Sequence, residues 1–378
     1  HRSMQKLHSL NMQNEMAVDS LFQEHWFLQA DLLQTNSLDL DMVEAKDYQG
    51  LLVTINEDLV NNGFLMIQPS EYMSEETLIE IAERYEAAIP EFSSVELDQN
   101  IQLQGEPHYW VIPDKLVSLT EERIEEEERI EEEVTPETLG PVEAQAIQIA
   151  IIDSGIDASH EIFENIEILT GWNTITDNTV MYDDVNHGTH IAGIISSEIS
   201  DIEIIPLKIV DANGGRLSNV LEAFDKAIEY EPDVINASFG LMSPSYSLEI
   251  MMQEAYEAGI IVVAASGNNN SSKGFYPATY DTTIAVASVD PTNEAMEKSN
   301  YGNWIDIAAN GYMVLSSLPD DEYGYKSGTS QSAALISARV AELLTTDGNW
   351  TLENIIQALQ ESQDTVEKGK LAGVAIVD

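Results

Sequence analysis

Apolar and polar positions divide the chain into two stretches with different periods. In the first, LLVTI (51–55) and FLMI (64–67) are short apolar runs of the kind that form buried strands. A helix is predicted from Ser74, because Leu78, Ile81, Ala82, Tyr85 and Ile89 recur at helical spacing. Ser74 suits its N-cap, and Glu75 and Glu76 suit the positive end of its dipole. Val95 to Leu103 then alternates apolar and polar, as a half-buried strand does. These signals describe a small α+β unit. From Ala146 the pattern changes. IQIAIID (147–153), IEIIPLKIV (202–210), DVINASFG (233–240), IIVVAASG (260–267), TIAVASV (283–289) and WIDIAA (304–309) are nearly continuous apolar runs. Between or after them, helices are predicted over Leu217–Tyr230, up to Ala258, from Thr329 to about Leu344, and over Leu352–Leu359. Continuous apolar strands alternating with helices indicate an α/β domain, a mainly parallel sheet covered on both faces.

The two stretches are separated by EERIEEEERIEEE (121–133), followed by Pro136, Gly140 and Pro141. Glutamates this dense repel one another, and Ile124 and Ile130 are too few to make a buried face, so the segment is read as an acidic linker. The expected organisation is a lead-in over 1–45, with His1–Ser3 read as a cloning remnant before Met4, an α+β unit over 46–120, a linker over 121–144 and an α/β domain over 145–378.

Composition narrows the function. The 378 residues hold 16 basic and 67 acidic side chains, a formal net charge of −51, which opposes binding to phosphate backbones and anionic lipids. An apolar fraction of 43% is enough for a packed core, so wholesale disorder is excluded. No apolar run reaches the roughly 18 residues of a membrane-spanning helix, and no apolar secretory signal is visible after the opening HRSM. Without cysteine there is no disulfide, thiolate nucleophile or thiolate metal site.

Three segments carry candidate chemistry where a strand or loop meets a helix, the place where open α/β sheets bind ligands. Asp153 ends a strand in IIDSG, His187 opens HGTHIAGII, and Ser330 sits in SGTSQSAALISARVAELL at a helix start. Taken singly, each has an ordinary structural explanation as a turn former, a loop histidine or a cap. Together they are a nucleophile, a base and a group that orients the base: a serine hydroxyl needs a base to take its proton, and a carboxylate fixes the imidazole tautomer. The chain order Asp, His, Ser is one of the known arrangements of such a set. Asn268, at the end of a buried strand, offers a side-chain amide to an oxyanion, and the Ser330 backbone N–H offers a second donor.

With these residues in place, the chain resembles the subtilisin-like serine proteases. IIDSGID, HGTHIAG, SGTSQSA and ASGN match the family's Asp, His, Ser and oxyanion Asn motifs in the correct order from about Ile147 to the C-terminus. The resemblance implies a subtilisin-like, doubly wound fold and a serine endopeptidase acting on proteins or peptides, with no redox or nucleotide cofactor. It further implies that Asn213, Gly214 and Gly215 pair with substrate backbone. Ser238, Phe239 and Gly240 are expected on one wall of the S1 pocket, which takes the residue before the scissile bond. Ala265, Ser266 and Gly267 are expected on the other wall. Phe275, where the family often has glycine before the YP dipeptide, is expected to make S1 shallow; Lys273 nearby suggests instead an acidic residue there. Gln331 and Ala334 replace residues common after the nucleophile, and the short segment Ile191–Ile209 implies loss of the family's calcium loop, so no metal is assigned.

The α+β unit resembles the family's propeptide in pattern, which implies an intramolecular inhibitor and folding assistant, cut away between Gly105 and Ala146. LFQEHWFLQADL (21–32) also resembles the stretch family members place before the Asp strand, which would make 48–140 an insertion. Two other readings stand beside the broad protease: an inactive or autoinhibited binding protein, and a dedicated protease that trims leader peptides. The resemblance favours secretion or a bacterial cell surface.

Overall fold

The computed structural model describes residues 146–346, 350–361 and 364–377, together with the strands Trp26–Ala30, Leu51–Thr54, Phe64–Pro69, Phe92–Leu97 and Asn100–Ile101. The chain falls into two compact units, one formed by His1–Asp98 and Val111–Glu132, the other by Gln99–Trp110 and Glu133–Asp378.

The first unit contains a four-stranded sheet of β1 (Trp26–Ala30), β2 (Leu51–Thr54), β3 (Phe64–Pro69) and β4 (Phe92–Leu97) in the order β2-β3-β1-β4. All three neighbouring pairs are antiparallel, with Trp26 opposite Ile67 on one side and Leu97 on the other. β1 is therefore a central strand of this sheet, although it lies within the expected lead-in and within the stretch compared with the run before the Asp strand. The helix expected from Ser74 lies outside the described residues.

The second unit opens with β5 (Asn100–Ile101), so the single strand expected up to Leu103 is two, belonging to different sheets. Its framework continues with β6 (Ile147–Asp153), β7 (Glu167–Ile168), β8 (Trp172–Asn173), α1 (Gly188–Glu198), β9 (Ile202–Lys208), β10 (Gly215–Arg216) and α2 (Leu217–Tyr230). Then come β11 (Val234–Ala237), α3 (Tyr246–Glu257), β12 (Ile261–Ala265), β13 (Thr283–Val289) and β14 (Ile307–Asn310). A hairpin of β15 (Val314–Leu318) and β16 (Glu322–Lys326) leads into α4 (Thr329–Leu344), followed by α5 (Leu352–Glu361) and β17 (Ala375–Val377).

One sheet runs β17-β14-β13-β12-β11-β6-β9-β7, with β8 also on β9, and every pairing in it is parallel. The runs of Ile, Val and Ala that predicted buried strands fill it: Ile149, Ala150, Ile152, Val262, Val263, Ile284 and Val286 have no exposed surface. Each fully buried isoleucine contributes about 2 kcal/mol through its removal from water. α4 packs against β11, β12, β13 and β14. Its small residues allow that close approach, and its buried hydroxyls are satisfied: Ser332 donates to the Ala309 carbonyl (3.0 Å) and Ser337 to Asn236 Oδ1 (3.0 Å). The sequence pattern missed the β15–β16 hairpin and β17. The hairpin's outward face carries Leu315, Tyr323 and Tyr325, all exposed, which blurs the inside–outside alternation.

Candidate active site

Sheet order brings the site together. β6, β11 and β12 are adjacent, with Ile152 in register with Ala237 and Ala237 with Ala264. The residues just past these positions, Asp153, Ser238 and Asn268, therefore line one edge of the sheet, on strands spaced about 4.8 Å apart. Each holds part of a helix start.

Asp153 is fully buried. His187 Nδ1 lies 2.7 Å from its Oδ1 and 2.9 Å from its Oδ2, and the Ser154 N–H donates to Oδ1 at 2.7 Å. The carboxylate thus fixes the ring through Nδ1, and His187 Nε2 has no hydrogen-bond partner among the described residues. Gly155 turns the chain just after Asp153 with φ +103°, and a side chain there would strike the Met181 carbonyl.

The loop that delivers His187 is held by a residue the sequence analysis did not single out. Asp183 is fully buried; its Oδ1 accepts from Ser154 Oγ (2.7 Å), the Asn186 N–H (2.9 Å) and the Val185 N–H (3.2 Å), and its Oδ2 from the Thr189 N–H (2.8 Å). Ser154 Oγ in turn accepts from the Gly188 N–H (2.9 Å). Asp183 and Ser154 therefore join the end of β6 to the start of α1. A second tie is Lys208, whose buried ammonium donates to the carbonyls of Ser154 (2.6 Å) and Tyr182 (2.9 Å) and to Asp184 Oδ1 (2.6 Å). Burial opposes ionisation of Asp184, but the Lys208 contact and the Ala212 N–H outweigh it and hold the carboxyl below the usual range. The cue in the sequence was the acidic pair directly before VNHGTH.

Ser330 is the second residue of α4 and is buried. Its hydroxyl donates to the Ser238 carbonyl (3.2 Å), and Ser238 Oγ donates to the Ser330 carbonyl (3.3 Å). His187 and Ser330 are thus anchored to the ends of two hydrogen-bonded neighbouring strands, while the bond that Ser330 Oγ makes here goes to Ser238, not to the imidazole. Asn268 Oδ1 accepts from the Thr329 N–H (3.0 Å), which turns its Nδ2 toward a side where no described residue bonds to it. The Ser330 N–H, in the first turn, has no intrahelical acceptor. Among the described residues, therefore, neither of these two donors has a partner, and Asn268 is tied to the residue directly before the serine.

The expected substrate contacts divide. Gly215 lies in β10, which pairs antiparallel with β5, Gly215 opposite Ile101 and Arg216 opposite Asn100. Asn213 and Gly214 instead spend their N–H groups on a tight turn: Asn213 N donates to Asp211 Oδ1 (2.7 Å) and Gly214 N to the Asp211 carbonyl (2.9 Å). Ser238, Phe239, Gly240, Ala265, Ser266 and Gly267 are all buried at the ends of β11 and β12. The Phe275 ring, also buried, lies between the two runs. A side chain on Gly240 would collide with it, and one on Gly267 would come within 2.9 Å of its Cγ. Hydrogen bonds between Leu241 and Tyr276 in both directions hold the ring's segment there (2.8 and 3.0 Å). Lys273 is exposed, and its recorded bond is its own N–H to Ser271 Oγ (3.0 Å). Among the described residues, no three His, Asp or Glu side chains are grouped to hold a metal ion, and no helix is long and apolar enough to cross a membrane.

The subtilase family model matches residues 144–374, and the chain belongs to that family. It is 34% identical over 230 residues to a thermophilic serine proteinase of Bacillus sp. (strain AK1), covering 58% of this chain and 57% of the relative. It is 32% identical over 231 residues to subtilisin E of Bacillus subtilis (strain 168), covering 57% of this chain and 60% of the relative. The match thus spans less than two thirds of either relative's length. The crystal structure of a cold-adapted subtilisin-like serine proteinase shares the fold, with a TM-score of 0.57 and 23% identity over 61% of this chain and 86% of that one.

Proposed function

We propose that this chain is a serine endopeptidase made as a self-processing zymogen. Ser330 attacks the scissile carbonyl after its hydroxyl turns from Ser238 to His187 Nε2, which takes the proton and later gives it to the leaving amine. Asp153 holds the imidazole in the tautomer that leaves Nε2 able to accept, and stabilises the imidazolium. Asn268 Nδ2 and the Ser330 N–H bind the developing oxyanion, and water then hydrolyses the acyl-enzyme. The observation that carries this reading is the contact of His187 Nδ1 with both Asp153 oxygens, one strand away from the Ser238 carbonyl that holds the Ser330 hydroxyl. Protein or peptide is the substrate, and family membership supports action outside a bacterial cell.

The zymogen part rests on two features. The antiparallel order β2-β3-β1-β4 places β1 and β2 parallel with β3 between them, and β3 and β4 parallel with β1 between them. This is the strand arrangement of a split βαβ unit, which suits a separately folding propeptide. In the second unit, Asn100–Ile101 lies along β10 as an added strand, the way an extended peptide binds a sheet edge. Intact-mass measurement of the purified chain should therefore find a cut between Gly105 and Ala146 that is missing from Ser330→Ala. A chain that stays whole at all concentrations would remove self-processing from the proposal.

The position of Phe275 supports a shallow S1 pocket that takes small residues. Phe275→Gly is expected to raise kcat/KM for peptides with an aromatic residue before the scissile bond, relative to alanine, by about thirtyfold. An unchanged ratio in a peptide-library assay would take the ring out of that role.

A further inference from the structure

Lys326 is the last residue of β16, four positions before Ser330. Its hairpin is fastened to the start of α1, beside His187. Ser316 Oγ donates to the His190 carbonyl (2.9 Å), Ser317 Oγ to the Thr189 carbonyl (2.9 Å), and His190 Nε2 lies 3.1 Å from the Gly324 carbonyl. Cross-strand register puts Lys326 opposite Val314 and Gly324 opposite Ser316, so Lys326 shares a face with Ser316, one of the two serines that reach α1. The ammonium is half-buried, yet among the described residues it makes no hydrogen bond or ion pair. This contrasts with Lys208, whose buried charge has three partners.

The charged and titratable groups around Lys326 are those of the candidate site. Burial lowers its own affinity for a proton, against the pull of Asp183 and Asp153. Burial also holds His190 down to about 4, with the Lys326 and His187 charges adding to the effect, so His190 is neutral at neutral pH. A partly desolvated cation with no direct partner leaves room for one that arrives with the ligand. The wall residues of S1 and β10 lie at the acyl side of Ser330. In the mechanism proposed above the leaving amine takes its proton from His187, which would put that half of the substrate on the side of α1 and the hairpin bonded to it. The chain's charge of −51 repels acidic peptides at long range, which makes a local cation the means of accepting one.

We propose that Lys326 forms a carboxylate-binding subsite on the leaving-group side of Ser330, selecting substrates with Asp or Glu in the first two positions after the scissile bond. The proposal rests on the hydrolase reading above. Its test uses the full chain after self-processing has finished, with a peptide mixture varied at those two positions and products identified by mass spectrometry. The wild-type protein should cut Asp and Glu peptides faster than their Asn and Gln counterparts. Lys326→Met should reduce that ratio by about tenfold, the size of one good charge-assisted contact. Lys326→Arg should keep most of the ratio, and Lys326→Glu should invert it. A wild-type ratio at or below one overturns the proposal without any variant. So does an unchanged ratio in a Lys326→Met protein that a fluorophosphonate still labels, accompanied by an equal loss on all peptides and a shifted pH–rate profile. In that case Lys326 only balances Asp153 and Asp183. A wild-type chain that cuts no peptide and takes no label would instead overturn the hydrolase reading.

Discussion

Ser330→Ala is expected to abolish labelling by a fluorophosphonate probe and to reduce peptide hydrolysis by about a millionfold, the size known for the equivalent loss in subtilisin. The hydroxyl is the only atom removed, and its one recorded bond is the 3.2 Å contact to the Ser238 carbonyl. Ser238 is tied to the helix a second time through its own hydroxyl, and to Asn236 at 2.9 Å. Loss of the Ser330 hydroxyl should therefore change stability by no more than about 1 kcal/mol. A Ser330→Ala protein with the thermal midpoint of its parent and no label would separate chemistry from folding. Undiminished labelling would mean that another residue is the nucleophile.

Asp153→Asn should lower kcat by about 10⁴-fold while leaving the fold intact. The side chain is almost fully enclosed, and its oxygens serve two donors, the Ser154 N–H at 2.7 Å and His187 Nδ1 at 2.7 and 2.9 Å. An asparagine can keep its oxygen on the Ser154 N–H only by facing its NH₂ toward the imidazole. With the NH₂ in the Oδ2 position, 2.9 Å from His187 Nδ1, the pair favours Nδ1 as acceptor and the ring proton on Nε2, which occupies the nitrogen needed to take the Ser330 proton. Steady-state kinetics and the labelling rate should fall together. If turnover stays within about tenfold of wild type, Asp153 is not the group that orients the base.

Much of the α/β unit was legible in the sequence because its strands are buried on both faces. Ile149–Ile152 and Val262–Ala265 show the hydrophobic effect directly, without needing a register or a partner. Asp153, His187, Asn268 and Ser330 were legible because each stands in a short motif where a strand or loop meets a helix. Asp183 and Lys326 were not. An aspartate four residues before His187 looks like any turn former until its four donors are seen, and a lysine in YGYKSG gives no sign of lacking a partner. Phe275 was noticed as a departure from glycine, but only three-dimensional packing puts its ring between Gly240 and Gly267. β1 was not singled out as a strand, because WFLQA, seen locally, carries no information about which sheet it joins. The turn in which Asp211 accepts from the Asn213 and Gly214 N–H groups was not legible either, because it rests on local side-chain and backbone bonds that the residue types only permit.

The strand order of the large sheet sets how quickly the protein can reach its native state. β6, the first of its strands in the chain, lies between β9 and β11, while β17, the last of them in chain order, completes an edge by pairing with β14. None of these parallel ladders can close as a hairpin, and each needs a crossover before it gains any enthalpy. Contact order is therefore high and spontaneous folding slow, with unpaired apolar edges open to aggregation in the meantime. Under the zymogen proposal, a template that lowers this barrier and is then cut away would leave a product that also unfolds slowly. For such a product, longevity is governed by the rate of unfolding rather than by equilibrium stability.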